Sequence, residues 1–173
     1  MQGQNLDELF DVVDDHDRVI GRAPRREVHA NNLLHRAVHI FAVNRAGAIF
    51  LQKRSALKDT NPGLWCSSCA GHVDAGEDYD RTVPRELTEE LGIAPGTYPA
   101  PERLFKTAPC RDTGWEFVWT YRLHHDGPFT LNPAEVDAGE WLPVDAVTRA
   151  VAERPQDFTA SFLLLWREYL RHG

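Results

Sequence analysis

The alternation of apolar and polar positions divides the 173-residue chain into short strands punctuated by helices. The segment DVVDDHDRVIG, Asp11 to Gly21, reads as two short apolar strands about a polar turn, with its aspartates at a solvated hairpin tip. Pro24 fits the first turn of a short helix running through Val28. RAVHIFAVN, Arg36 to Asn44, and the AIFLQKR that follows are dense in apolar and β-branched residues. They look like paired central strands joined by an RAG turn. DTNPG is loop chemistry, and LWCSSCAG reads as a further strand ending at Gly71. A helix is predicted from Tyr79 to Leu91 and stops at Gly92, because glycine takes the left-handed terminating conformation without a Cβ clash. After the proline-rich loop APGTYPAPE come strand patterns in RLFKTA, WEFVWTYRL and GEWLP. Two helices, Val144 to Ala152 and Phe158 to Leu170, close the pattern. Phe162, Leu165, Trp166 and Tyr169 form a helical stripe that belongs to a core.

No internal repeat interrupts this order. Strands and helices intermixed in this way predict an α/β (α+β) fold, a mixed sheet with helices on both faces. The length suits one domain over residues 1–173, with a hairpin and short helix in 1–30 and the core with its C-terminal helices in 31–173.

Composition narrows the partners. A net charge of -7 argues against a nucleic acid polymer or an anionic membrane surface. The longest apolar run, Phe162 to Trp166, is far short of the roughly 20 residues that span a bilayer. The start carries Asp7, Glu8 and Asp11 rather than a basic apolar leader, so the cytoplasm is the expected location. Three cysteines, Cys66, Cys69 and Cys110, do not make a disulfide framework. Cys66 and Cys69 form a CxxC with no second pair to close a zinc site, and read as small, half-buried thiols.

The chemistry concentrates in GHVDAGEDYDRTVPRELTEELGI, Gly71 to Ile93. On a helix, Glu86, Glu89 and Glu90 fall within an arc of roughly 100°. Val83, Leu87 and Leu91 form a neighbouring apolar stripe that can dock on a sheet. Like charges at this spacing repel by a few tenths of a kcal/mol each. They also crowd the negative end of the helix dipole, so both local rules oppose them. A bound cation removes the conflict, and oxygen-only ligands suit Mg²⁺ or Mn²⁺. Pro84 lacks the N–H that would bond Asp80, which predicts a kink or a start delayed to about Asp80.

The order Gly71, five residues, Glu77, seven residues, Arg85-Glu86-Leu87, one residue, Glu89-Glu90, one residue, Gly92-Ile93 resembles the signature of the Nudix hydrolases. That resemblance implies an α/β/α sandwich and a Mg²⁺-dependent pyrophosphohydrolase. Its partner would be a small organic diphosphate, nucleoside diphosphates among them, cleaved by water attack at phosphorus. Glu86, Glu89 and Glu90 would bind the metal with help from the Gly71 carbonyl, and Glu77 and Arg85 would support them. Glu135, in EVDAGEWLP, resembles a further acid that some members supply as ligand or base, and is otherwise a charged loop residue. The resemblance makes Glu86, Glu89 and Glu135 the catalytic candidates. Glu116, in GWEFVW, faces the same choice as Glu135.

The flanks LLHRAVHIF, KRSALKDTNPGLW, CAGH and, loosely, QDFTASF resemble type 1 isopentenyl-diphosphate isomerase, itself a Nudix-fold enzyme. That implies a cysteine and a glutamate moving protons on an alkene, and a metal held by histidines and glutamates. Cys69, Glu116, His29, His35 and His72 would fill those places approximately. Arg54 and Lys58 would hold the diphosphate, arginine through paired bonds, or form a solvated loop pair. Two departures favour hydrolysis: the acidic set is complete, and the histidine and CAGH spacings slip. A binding module without turnover is the third reading, and a homodimer is left open. Trp65, Trp115 and Trp119 could stack a base, cover an isoprenoid, or be buried aromatics.

Overall fold

The computed structural model describes residues 5–172. Strands β1 (Leu9–Val13) and β2 (Val19–Pro24) form an antiparallel hairpin, followed by α1 (Arg25–Ala30). Pro24 ends β2 in extended geometry and sits at the N-cap of α1, one residue before the helix proper. The chain continues through β3 (His35–Val43), β4 (Ile49–Arg54), β5 (Trp65–Cys66), β6 (Cys69–His72) and α2 (Tyr79–Leu91). It ends with β7 (Glu102–Thr107), β8 (Glu116–His124), β9 (Val136–Leu142), α3 (Val144–Glu153) and α4 (Ala160–His172).

Seven strands build a mixed sheet in the order β5-β4-β3-β8-β7, with β6 added on β3 and β9 on β4. β3 and β8 run parallel from His35 opposite Glu116 to Val43 opposite His124. The expected pairing of β3 with β4 needs correction. They meet only at Val43 opposite Ile49, because β6 takes the β3 edge from Ala37 to Ile40. The long partner of β4 is β9, which begins at Val136, earlier than its apolar end suggests.

LWCSSCAG also divides, into β5 and β6. Ser68 Oγ donates to the Phe50 carbonyl and accepts from Ala42 N–H at 2.7 Å, and Ser67 Oγ lies 2.8 Å from His39 Nδ1. Side-chain bonds of this kind compete with ladder pairing and end the strand locally.

Alternation along β3 sends Val38, Ile40 and Ala42 to one face, where Val83, Leu87 and Leu91 of α2 cover them. Ala37 and Phe41 face the other way, onto Phe162, Leu165, Trp166 and Tyr169 of α4. Helices thus cover both faces, the α/β/α arrangement. Leu87 and Leu91 are fully buried, each worth about 1.5–3 kcal/mol. This anchoring fixes how α2 turns its acidic side. The helix begins at Tyr79 rather than late, because Asp78 caps it by accepting from Arg81 N–H at 2.9 Å, and Pro84 lies within it. Gly92 closes it at φ 66°. No helix among the described residues is long and apolar enough to cross a membrane.

Candidate active site

A cavity of about 610 Å³ opens beside β6 and α2 and gathers two clusters of ionisable side chains. The first is acidic. Glu86 and Glu90 are buried and Glu89 is half exposed. Gly71 is required here, since a Cβ at that position would overlap the Glu86 carboxylate. Glu90 Oε2 accepts the Ala70 backbone N–H and Gln52 Nε2, each at 3.0 Å. Arg85 ties the rest together. It donates from Nη1 to Glu86 Oε1 at 2.7 Å and Glu89 Oε2 at 3.2 Å, from Nη2 to the His72 carbonyl at 2.9 Å, and from Nε to Glu77 Oε2 at 3.2 Å.

One guanidinium does not balance this group. Burial, then the neighbouring Glu90 charge, pushes the Glu86 carboxyl well above the ordinary range. Burial also raises Glu90, despite Lys58 and the donors on its oxygens. Buried carboxylates short of positive charge, with only oxygen donors among them, suit a hard divalent cation.

Lys58 is buried and paired with Glu135 across the mouth of this cluster. Arg54 donates to the Thr60 carbonyl at 2.9 Å from Nη2. Both basic side chains line the cavity, as does Glu135. Nine of the sequence-derived candidates therefore converge: Arg54, Lys58, Gly71, Arg85, Glu86, Glu89, Glu90 and Glu135 at the cavity, with Glu77 behind Arg85.

The second cluster is histidine-rich. One nitrogen or oxygen from each of His29, His35, His72 and Glu116 lies within 4.8 Å of the others. They come from α1, β3, β6 and β8, and the parallel register sets His35 directly opposite Glu116. His35 Nδ1 donates to the Leu33 carbonyl at 2.8 Å, which leaves Nε2 buried, without a hydrogen bond, and 3.4 Å from Glu116 Oε1. That nitrogen is placed to serve as a metal ligand, and the carbonyl behind the ring fixes its orientation as a ligand requires. Three imidazoles and one carboxylate suit a softer ion than the acidic cluster does.

His72 is held differently. Arg25, buried on α1, has only donors, and its Nη1 lies 3.0 Å from His72 Nδ1. The Nε2 of His72 then carries the proton and donates to Glu116 Oε1 at 3.0 Å. A metal at that nitrogen would have to displace the proton. Burial pushes His72 down to about 3, outweighing Glu116. Burial followed by the Arg25 charge lowers His29. Glu116 goes well below the ordinary carboxylate range even though burial opposes it, because the His35 and His72 rings lie against its carboxylate.

Sequence reasoning missed Arg25, its partner Asp59 at 3.2 Å, and the Phe10 ring that stacks on His72 at 4.6 Å. Arg25 and His29, four apart, were the available signal. Cys69 does not join the cavity. It is fully buried in the core under α2, where burial and then the Glu90 charge raise its thiol far above the usual value. Ala70 lines the cavity instead. Of the tryptophans only Trp115 lines it; Trp119 carries Arg103 at 4.7 Å, and Trp65 packs on the α4 side.

Residues 33–162 match the NUDIX domain family. The chain is 34% identical over 158 residues to an isopentenyl-diphosphate Delta-isomerase of Burkholderia multivorans, covering 91% of this chain and 90% of the relative. It is 32% identical over 159 residues to an uncharacterized Nudix hydrolase of Yersinia pestis, covering 92% and 85%. The crystal structure of DR0079 from Deinococcus radiodurans superposes with a TM-score of 0.81 at 26% identity, covering 93% of this chain and 98% of that one.

Proposed function

The chain belongs to the NUDIX family, and from that premise we propose that it is a Mg²⁺-dependent hydrolase cleaving the diphosphate linkage of a small organic diphosphate. The observation that carries this reading is the complete acidic cluster: two buried carboxylates with raised pKa, packed on a glycine and clamped by Arg85. Glu86, Glu89 and Glu90, with the Gly71 carbonyl, would hold the metal. When bound, Mg²⁺ offsets charge on the diphosphate and favours attack at phosphorus.

The protein's own groups do the rest. Arg85 orients Glu86 and Glu89, and Glu77 holds Arg85 in turn. Ala70 N–H and Gln52 fix Glu90. Arg54 and Lys58 bind the phosphate oxygens remote from the scissile bond. Glu135, with Glu86 the candidate base, takes the proton of the attacking water once the substrate draws Lys58 away.

A second reading, isomerisation of isopentenyl diphosphate, is favoured by one observation, the His29, His35, His72 and Glu116 cluster. It lacks its thiol, since Cys69 lies in the opposite core and Ala70 takes the cavity position. The test is a panel of nucleoside, sugar and isoprenoid diphosphates, with Mg²⁺ and with chelator, products being identified by phosphorus NMR. We expect Mg²⁺-dependent release of monophosphates. A shifted double bond without phosphate release would replace the hydrolase by the isomerase. Binding without turnover, unaffected by Glu89→Gln or Glu90→Gln, would leave a binding module.

A further inference from the structure

Four of the five tryptophans have packing partners. Trp65 lies against the α4 core, Trp119 against the α2 core with Arg103 over its ring, Trp141 meets Phe50 edge-on at 5.2 Å, and Trp166 stacks on Phe162 at 5.9 Å. Trp115 has none among the described residues. It joins no hydrophobic core, no ring or cation lies on it, and no hydrogen bond reaches its indole N–H, yet it is half-buried and lines the cavity.

The backbone beneath it is strained. Trp115 has φ 67°, whereas the other non-glycine residues with positive φ among the described ones, Asp17, Asn32 and Asn61, are of the types that tolerate it. The turn is tied down by bonds to Cys110: its carbonyl accepts Trp115 N–H at 2.8 Å and the buried Thr113 Oγ1 at 3.0 Å. The Trp115 carbonyl accepts His35 N–H at 3.4 Å, which ties the turn to the histidine cluster. An asparagine or glycine would make the same backbone bonds with less strain, so neither the turn nor a core accounts for the indole. The conformation does redirect the side chain. Glu116 faces the histidines and Phe117 the α2 core, so a regular extension of β8 would send residue 115 to the α2 side. The left-handed turn breaks that alternation, and Trp115 and Glu116 line the same cavity.

We propose that Trp115 is a specificity-determining residue, the platform on which the planar base of a nucleoside diphosphate stacks. This rests on the hydrolase reading for the diphosphate end and adds the group attached to it. A base has an apolar face and polar edges, and an indole face bordered by polar groups matches it. Asn32, Arg111 and Asp112, all exposed, line the cavity beside the turn. A prenyl chain would need apolar walls on several sides, and here it would lie against an amide, a guanidinium and a carboxylate.

The experiment uses ligands with no diphosphate to cleave, so it does not depend on turnover. The full chain, with Mg²⁺, is titrated calorimetrically with AMP, GMP, CMP and UMP, with ribose 5-phosphate as the base-free counterpart and with isopentenyl phosphate as the prenyl one. We expect the nucleotides to bind about tenfold more tightly than either counterpart. Trp115→Leu should weaken them about 5- to 100-fold, the range of one stacked base, and leave ribose 5-phosphate unchanged. Trp115→Tyr should keep most of the affinity. Trp115→Gly relieves the left-handed backbone, so it should hold or raise Tm while losing the nucleotides as Trp115→Leu does; a merely structural indole would instead lower Tm. Nucleotide affinities unchanged in both Trp115→Leu and Trp115→Gly would overturn the proposal, as would isopentenyl phosphate binding more tightly than the nucleotides. Nucleotide binding that depends on Trp115, without Mg²⁺-dependent turnover of any diphosphate, would remove the hydrolase and keep the platform. Turnover with nucleotide binding indifferent to Trp115 would remove the platform alone.

Discussion

The two ionisable clusters of the cavity share a wall at Gly71 and His72, yet burial raises the glutamates of one and lowers the histidines of the other. On the α2 side, burial and mutual repulsion drive Glu86 and Glu90 toward the protonated state. On the histidine side, burial keeps His72 and His29 neutral, and Glu116 stays ionised because the His35 and His72 rings lie against it. One cluster is short of cations; the other is close to internally satisfied, apart from the bare Nε2 of His35. Removing a cation should therefore matter far more on the α2 side. Retention of histidines alone says little about which reaction the cavity performs.

The sharpest way to break this contrast is kinetic. Glu90→Gln keeps the shape but cannot supply the same charge, and should lower hydrolytic turnover by about 10²–10⁴-fold, the range of a lost acid–base or charge-stabilising group. His35→Gln should cost about tenfold or less. Steady-state rates with a diphosphate that the wild type cleaves decide it, and the reverse ranking would move the chemistry to the histidines.

A second test separates the clusters by metal. Mg²⁺ at a hundred times its dissociation constant should stabilise the fold by about 2.7 kcal/mol. That gain, read as a rise in Tm, should vanish in a Glu86→Gln, Glu90→Gln double variant and persist in His35→Gln. Zn²⁺ should show the opposite dependence. Loss of the Mg²⁺ gain in His35→Gln would mean that the two clusters hold one metal set between them.

How far these clusters can be read from sequence differs for a physical reason. The acidic set lies on one helix, where spacing alone fixes a shared face, and Arg85 and Glu77 lie within the same segment. Three donors of the histidine cluster, His35, His72 and Glu116, are brought together only by the parallel register of β3 with β8 and the antiparallel register of β3 with β6, and His29 is added from α1. Neither register is written in local periodicity, so resemblance alone pointed there. Cys69 shows the cost of a single position: on a strand, a one-residue offset sends the side chain to the other face, here from the cavity to the α2 core. The β3–β4 pairing misled for a related reason. A short turn predicts a hairpin, but nothing local shows that β6 claims the same edge.

Gly71 sharpens the comparison at its boundary. Gly71→Ala should push the Glu86 carboxylate aside and cost about 1–3 kcal/mol, the usual range for overpacking a closed site. Urea unfolding would measure that loss, and isothermal titration should show weaker Mg²⁺ binding. Zn²⁺ binding at the histidines should hold, since His72 points its ring to the other side of β6. Unchanged Mg²⁺ affinity would remove Gly71 and Glu86 from the metal site.

The smallest effect is the pH dependence of stability without metal, and there the two clusters pull apart. Glu86 and Glu90 have folded pKa values above their unfolded ones, so the folded state binds more protons. Their contribution is greatest in acid and is lost as pH rises above the ordinary carboxylate value near 4.5. His72, pushed down to about 3, acts in reverse: the folded state binds fewer protons, and stability is lost as pH falls from about 6.5 toward 3. Glu116, held below its ordinary value, adds to that acid loss. Metal-free protein should therefore weaken on both limbs. His72→Asn should flatten the acid limb, and the double glutamine variant the alkaline one. Added Mg²⁺ should flatten only the alkaline limb of the wild type, because a cation among the glutamates removes the reason their protons are held. An alkaline limb that Mg²⁺ does not move would mean that the raised carboxylates lie outside the metal's reach.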